Sequence, residues 1–433
     1  MAGNVLLMSA RWSWLLIFLS LGGCVAAWGD EMPDYQPLDK GAKAPVIKIA
    51  GELEEQFVRR GIRFNDAELQ EILDRVAESV VPVVADTFIN YRVYLIRDPS
   101  PRALSLADGQ IYIHTGLLAR LENEAQLAAV LAHEAHHVAA HHHIEADRER
   151  RNRASVSGFF TFNEDDIGIG RDVFFEDIWQ SEFTQDMEIA ADAGAAALIG
   201  RAGYPPAAVV RALANMRKDP ELTIEGQAAS FNSPKSLLER QGRLQEVVSE
   251  LPQLHADTGL VETRPMQLRR VIEMTIDDYI RLDRPGAALA LVDSMIATQP
   301  DAFLYAAKGD SHLALGPRPV QLQQEFFNWY SGNFTREELY AKYLAVEGGA
   351  ERLAFNLESA AEAYDMAIQM DDSYARAYRG LGNLHYVQKD YRPAGRNYLK
   401  YLKREIDPMD RQFVLERLQH IKSELTKQKE ANK

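Results

Sequence analysis

The sequence predicts an α+β chain that is mainly α-helical. A first domain sets a small sheet beside a long alanine-rich helix, and an all-α region of stacked helix pairs follows. Three observations predict it. An alanine-rich apolar run, 125–140, contains His133-Glu134-Ala135-His136-His137. Two short β-rich segments, 88–96 and 109–114, come just ahead of it. From about residue 265, helical segments recur in pairs with a rhythm of roughly 34 residues.

Residues 1–23 read as a cleavable targeting segment and take no part in the fold. Arg11 is its only charged side chain, and 12–21 is apolar but too short to cross a bilayer comfortably. The segment ends Leu21-Gly22-Gly23-Cys24, at the only cysteine of the 433 residues. This resembles a bacterial lipobox, in which cleavage leaves Cys24 as a lipid-modified N-terminus. The alternative is an ordinary signal with an incidental cysteine. Val25 rather than Asp follows, which by the same resemblance implies the outer membrane. Multiple acyl chains on one residue would anchor the protein stably. Residues 24–48, with little periodicity, read as a tether.

A lone cysteine excludes an internal disulfide. Acidic side chains outnumber basic ones, 63 to 48, for a net charge of −15. That balance argues against a nucleic-acid partner, which would want a basic face.

Taking the elements in order, 65–81 predicts an amphipathic helix with Asn65 or Asp66 as its N-cap. Segment 88–96 alternates with β-branched and aromatic residues and predicts a strand. Gln110-Ile111-Tyr112-Ile113-His114 predicts a second, opened by the Asp108-Gly109 turn signal. Residues 122–143 predict the helix that carries the histidines. Segment 144–180 breaks the pattern, with Phe159, Phe160, Phe174, Phe175 and Trp179 in a stretch long enough to suggest a lid. Helices are expected again over 183–198, stopping at Gly200, and over 205–216.

The repeat-like region spans 265–425. Tyr378, Leu381-Gly382, Ala394 and Tyr398 resemble the tetratricopeptide pattern, in which small residues let helix pairs pack closely. Ala360, Tyr364 and Ala367 repeat it one period earlier, and Ala288, Val292, Pro300, Tyr305, Gly309 and His312 earlier still. The run is interrupted near 317–349. Roughly three to four units would share a stacked core. A generic helical bundle is the plainer alternative.

The chemistry sits in His133-Glu134-x-x-His137. On a helix, residues four apart share a face, so His133 and His137 can turn imidazole nitrogens to one divalent ion. Glu134, one residue around, can take a proton from water at that ion. A catalytic zinc site takes three protein ligands, and two candidates offer the third. His143 has a suitable spacing, but Ala140 stands where a sharp turn would want glycine. The helix is therefore expected to run on and carry His143 away. Glu188 is favoured: Glu188-Ile189-Ala190-Ala191-Asp192 sets two carboxylates on one face of an apolar helix, where a carboxylate needs a partner. Asp192 would then steady a ligand histidine through its outer nitrogen. His136 is expected to face away from the ion, and His141, His142 and His143 to form the solvated end of the helix.

His133-Glu134-x-x-His137-Val138, His142, Glu188-x-x-Ala191-Asp192 and Ile111-Tyr112-Ile113-x-Thr115-Gly116-Leu117-Leu118 together resemble the M48 family of zinc metallopeptidases. The likeness covers roughly residues 50–250. It implies a zincin-like domain, here 49–260, with one Zn2+ per chain on His133, His137 and Glu188, and Glu134 as the catalytic base. With a leader and a repeat region, the chain is most similar to periplasmic members that act in outer-membrane protein quality control. Two departures stand out. Gln185 occupies a place where the family often has arginine, and Phe231-Asn232-Ser233-Pro234 lacks the histidine that can cap the metal in those members.

The expected activity is hydrolysis of peptide bonds in unfolded or misassembled envelope proteins. The strand Gln110, Ile111, Tyr112, Ile113 is expected to offer its edge to an extended substrate. The repeats would dock outer-membrane assembly machinery. The competing reading is a non-catalytic chaperone or assembly factor with a structural metal.

Overall fold

The computed structural model describes residues 47–148 apart from 49, 53, 56, 60, 62, 82–88 and 147. It also describes 183–217, 234–251, 268–317, 336–405 apart from 346, and 408–431. The targeting segment, Cys24, most of the tether, the aromatics of 159–179 and Phe231-Asn232-Ser233 lie outside these residues. The chain is mainly helical with one small sheet and divides into two compact units, 1–217 with 229–271 and 218–228 with 272–433.

In the first unit, α1 (Ala67–Val80) starts at Asp66, whose carboxylate accepts from Leu69 N at 3.3 Å. Its buried residues Leu69, Leu73, Val76 and Val80 recur at helical spacing. It stops at Val81, which is extended, as the residue ahead of a proline prefers. Three strands follow: β1 (Arg92–Ile96), β2 (Ala103–Ser105) and β3 (Gln110–His114), in the order β1-β3-β2. β3 runs parallel to β1 and antiparallel to β2. The turn into β3 needs Gly109, whose φ is +100°, and a Cβ there would meet the Asn90 backbone at 2.9 Å.

This order corrects one expectation. The strand Gln110, Ile111, Tyr112, Ile113 is the centre of the sheet, paired on both sides and wholly buried, so it has no edge to offer. Its run of apolar residues reflects burial on two faces, and strand order is a tertiary property that the local pattern does not encode. The outer edge on that side belongs to β2, where Leu104 and Ser105 are buried and Ala103 is half-buried. His114 N donates to Arg102 O at 3.0 Å and Leu106 N to Gln110 O at 2.7 Å. By antiparallel alternation, the backbone groups of Ala103 and Ser105 point away from β3. No strand among the described residues pairs with that edge.

After the short helix α2 (Thr115–Leu118), α3 (Glu124–Ala139) begins at Asn123, whose side chain accepts from Gln126 N at 3.0 Å. Thirteen of its sixteen residues are buried, which is why its periodicity is weak: the helix is core on nearly every side. It packs on β2 and β3 and on α4 (Gln185–Arg201), which is capped by Thr184. Helix α5 (Ala207–Arg217) packs on α3 and α4, and α6 (Pro234–Glu250) packs on α4 and α5.

The expected run of helix through 143 is also corrected. α3 ends at Ala139, and His141 takes a positive φ of 59°. The chain reverses there and resumes a helical turn at 142–146, so His142 and His143 are buried rather than solvated. Ala140 favours helix by only a fraction of a kcal/mol, and packing of the two imidazoles outweighs that preference.

The helix α7 (Leu268–Arg281) runs across the boundary between the units. The second unit continues with α8 (Pro285–Ile296), α9 (Ala302–Leu315), α10 (Arg336–Ala345), α11 (Gly349–Met370), α12 (Ala375–Val387), α13 (Tyr391–Arg404) and α14 (Arg411–Ala431). Its helices close on aromatic wedges. The Tyr364 ring sits where a Cβ on Gly380 would be 2.1 Å away and one on Gly309 2.5 Å away. Tyr398 fills the same role at Gly382, with Ala360, Ala367, Ala377 and Ala394 fully buried around them. Arg376 ties three helices by ion pairs to Asp277 at 2.7 Å and Asp310 at 2.8 Å.

Candidate metal centre

α3 and α4 lie close because small residues face each other. A Cβ on Gly194 would fall 1.9 Å from His136 Nδ1, so that glycine admits the imidazole and lets the helices approach. His136 thereby turns into the core, away from the paired imidazoles, and burial drives its pKa down to about 3, with His142 and His133 adding to the shift.

On the opposite side, His133, His137 and Glu188 bring one donor atom each within 4.8 Å of one another. The Nε2 atoms of the two histidines are 3.1 Å apart, and they stand 3.5 and 3.7 Å from the Glu188 carboxylate oxygens. Tetrahedral zinc with ligands at ~2.0–2.1 Å needs donor separations of about 3.3 Å. The set fits a divalent ion without moving any backbone. Its chemistry fits as well, since two imidazoles and a carboxylate form a common catalytic zinc donor set. His143, the other candidate, is not part of the cluster: its Nε2 lies 3.2 Å from Ser105 Oγ.

The surrounding groups hold these donors in place. Asp192 Oδ1 lies 3.0 Å from His133 Nδ1, so Nδ1 carries a proton and Nε2 is left to coordinate. His142 Nδ1 lies 2.9 Å from His137 Nδ1 and serves that ring in the same way. Phe183 stacks on His137, ring centres 4.0 Å apart. Arg240 of α6 spans the carboxylates, with Nη1 2.7 Å from Glu188 Oε2 and Nε and Nη2 each 2.8 Å from Asp192. Glu134, Glu188 and Asp192 face this single guanidinium, leaving two negative charges in excess, which is what a divalent cation balances.

The electrostatics agree. Burial would lower the His133 pKa, but hydrogen bonds and charges from Asp192 and Glu188 raise it to about 10, the mark of a place that favours a cation. Burial and the neighbouring imidazoles press His137 well below its usual value. Glu188 and Asp192 resist the upward push of burial because Arg240 and His133 stabilise their anions, and Asp192 comes to about 2. Burial raises the Glu134 carboxyl, opposed by the charge of His133 and by the Ser105 hydroxyl beside it. A raised carboxylate next to a hydrolytic site is suited to give and take a proton.

Three contributors escaped the sequence reading. Arg240 had a signal: Leu237, Arg240, Leu244 and Val248 form the buried stripe of α6, and a charge in such a stripe demands an internal partner. Ser105 and Phe183 carry no local signal, because a hydroxyl or an aromatic in a core-facing position is ordinary.

Residues 64–276 match the model of peptidase family M48. The chain is 36 % identical over 73 residues to the mitochondrial metalloendopeptidase OMA1 of Schizosaccharomyces pombe, an alignment covering 17 % of this chain and 22 % of the relative. It is 30 % identical over 93 residues to a putative beta-barrel assembly-enhancing protease of Vibrio cholerae, covering 22 % and 19 %. The beta-barrel assembly-enhancing protease of Escherichia coli O157:H7 is 26 % identical over 150 residues, covering 33 % and 30 %. The chain thus spans less than a third of the length of each of these relatives. The residues that match the family model include the helix pair that brings His133, His137 and Glu188 together, and on that ground the chain carries a domain of peptidase family M48, a family of metal-dependent peptidases.

Proposed function

We propose that the chain is a zinc-dependent endopeptidase that cleaves unfolded or misassembled proteins of the bacterial envelope. The observation that carries the reading is the convergence of His133, His137 and Glu188 with Glu134 beside them. A structural metal has no use for a buried general base at that place. The names of the bacterial relatives, beta-barrel assembly-enhancing proteases, support the envelope as the place of action. No helix among the described residues is long and apolar enough to cross a membrane, and attachment to the outer membrane through lipidated Cys24 is part of the proposal.

Zinc bound by these three side chains would supply Lewis acidity, polarising the scissile carbonyl and bringing the pKa of water towards ~7. The protein's own groups do the rest. Asp192 and His142 fix the tautomers of His133 and His137, so their Nε2 atoms face the ion. Glu134 takes the proton of the attacking water and delivers it to the departing amine. Arg240 keeps Glu188 and Asp192 ionised and oriented. The outer edge of β2, which pairs with no other strand among the described residues and is half-buried at Ala103, is the place for an extended substrate to pair by main-chain hydrogen bonds. Such pairing selects unfolded segments over particular side chains.

The test is cleavage of an unfolded protein such as casein by wild type and Glu134→Gln, with zinc content measured in both. The reading expects Glu134→Gln to lose activity and keep its zinc. Equal cleavage by both, or none by either, favours the assembly-factor reading, in which the helical region docks a partner and the metal is structural.

A further inference from the structure

The reversal at His141, whose φ of 59° is a left-handed conformation held only where the surroundings impose it, brings two imidazoles back toward α3. His142 reaches His137, a metal donor. His143 reaches none of the donors. It is nevertheless buried, its ring set edge-to-face with Phe183, centres 5.0 Å apart, and its Nε2 lies 3.2 Å from Ser105 Oγ. Ser105 is 1 % exposed, and its hydroxyl also hydrogen-bonds the Glu134 carboxyl. Polar side chains from β2, from α3 and from the turn after α3 thus meet in the core beside the metal donors.

Counting protons fixes the direction of this chain of contacts. Glu134 acting as a base is a carboxylate, which only accepts hydrogen bonds. The single O–H of Ser105 therefore goes to Glu134. Its lone pairs are left for His143, so that ring donates through Nε2–H. Burial and the neighbouring His142 push the His143 pKa down to about 3, so the ring is neutral and has one N–H to give. A hydroxyl that accepts one hydrogen bond donates the next more strongly, because linked bonds polarise one another. One O–H occupies one carboxylate oxygen and leaves the second open.

We infer that His143 and Ser105 are positioning residues for Glu134: His143 fixes the Ser105 hydroxyl, and the hydroxyl holds one oxygen of Glu134 so that the other faces the attacking water. The inference rests on the peptidase reading and deepens it. No proton is relayed along the chain. Ser105 and His143 keep theirs, while Glu134 carries one from water to the departing amine. A glutamate without this restraint would turn about its side-chain bonds, and a misplaced base slows turnover without weakening substrate binding.

Initial rates of the zinc-loaded full chain on labelled casein, resolved into kcat and KM, test it. Ser105→Ala should lower kcat about ten-fold, as loss of an orienting partner does, and leave KM within about two-fold. His143→Leu should lower kcat similarly. His143→Gln, whose amide N–H can stand in for Nε2–H, should restore most of that loss. Ser105→Ala with His143→Leu should do no worse than Ser105→Ala alone, because the two act in series. In the Glu134→Gln background, Ser105→Ala should cost nothing further, and every variant should hold one zinc at the assay temperature.

Unchanged kcat in Ser105→Ala, a further loss in the Glu134→Gln background, or loss of zinc from Ser105→Ala overturns the proposal. So does a raised KM at unchanged kcat, which would assign Ser105 to holding substrate at β2. Cleavage that depends on Glu134 but not on Ser105 or His143 sinks this inference alone. No cleavage by wild type, or equal cleavage by wild type and Glu134→Gln, fails the peptidase reading and this inference with it.

Discussion

Arg240→Met is the most telling single change. The arginine is 3 % exposed and makes three charge-assisted contacts of 2.7–2.8 Å, one to Glu188 and two to Asp192. Methionine fills much of the same space but leaves two carboxylates facing each other in the core. Removing one partner of a buried ion pair costs ~3–5 kcal/mol. For a domain of 150–250 residues each kcal/mol shifts melting by about 2–4 °C, so the metal-free protein should melt ~6–20 °C lower. Zinc offsets part of the loss because the ion takes over the charge of Glu188, so the zinc-loaded variant should lie closer to wild type. Arg240→Lys should fall between, since an ammonium keeps the charge but cannot span both carboxylates. Differential scanning fluorimetry with and without zinc measures all three proteins. If metal-free Arg240→Met melts within about 2 °C of wild type, the ion triad does not hold α4 and α6 together, and the account of the site's electrostatics fails.

Further outcomes follow from the same contacts. Asp192→Asn should lower metal affinity or activity ~10–100-fold, read by competition with a zinc chelator, because His133 loses its orienting acceptor. Gly380→Ala should destabilise the second unit by about 1–3 kcal/mol, since the new methyl would lie 2.1 Å from the Tyr364 ring; unchanged chemical denaturation would contradict the wedge. His312 is buried against Asn356, at 2.8 Å, and burial holds its pKa below 6.5. It folds neutral, so the stability it contributes is present above pH ~6.5 and declines as pH falls below that value. Melting of His312→Asn should consequently vary less between pH 7.5 and pH 5 than melting of wild type. Replacing Glu134 by Gln should slow peptide hydrolysis ~10²–10⁴-fold, the usual contribution of a general base.

Much of the site was legible because helical geometry turns spacing into proximity. His133 and His137 are four apart, and so are Glu188 and Asp192; a buried carboxylate pair on an alanine-rich helix had to meet charge or metal. What the sequence withheld depends on contacts between elements. The apolar run in 110–114 announces a strand but not its neighbours, and β3 lies at the centre of the sheet rather than at its edge. Ala140 speaks for continued helix, yet His142 packs on His137 and His143 against Ser105, and the chain turns at His141 to let them. Arg240, more than forty residues from Glu188, reaches the site only through the packing of α6 on α4. The Gln185 departure acquires a physical sense as well: the cation beside the ligand glutamate comes from Arg240, while Gln185 pairs with Glu239 at 3.2 Å.

Zinc K-edge absorption spectroscopy of the purified full chain tests the central arrangement most directly. Two imidazole nitrogens and a carboxylate oxygen at ~2.0–2.2 Å, with one further oxygen from water, and loss of that signal in Glu188→Ala, are the predicted result. A sulfur ligand, or a spectrum that Glu188→Ala leaves unaltered, would show that the ion is held elsewhere.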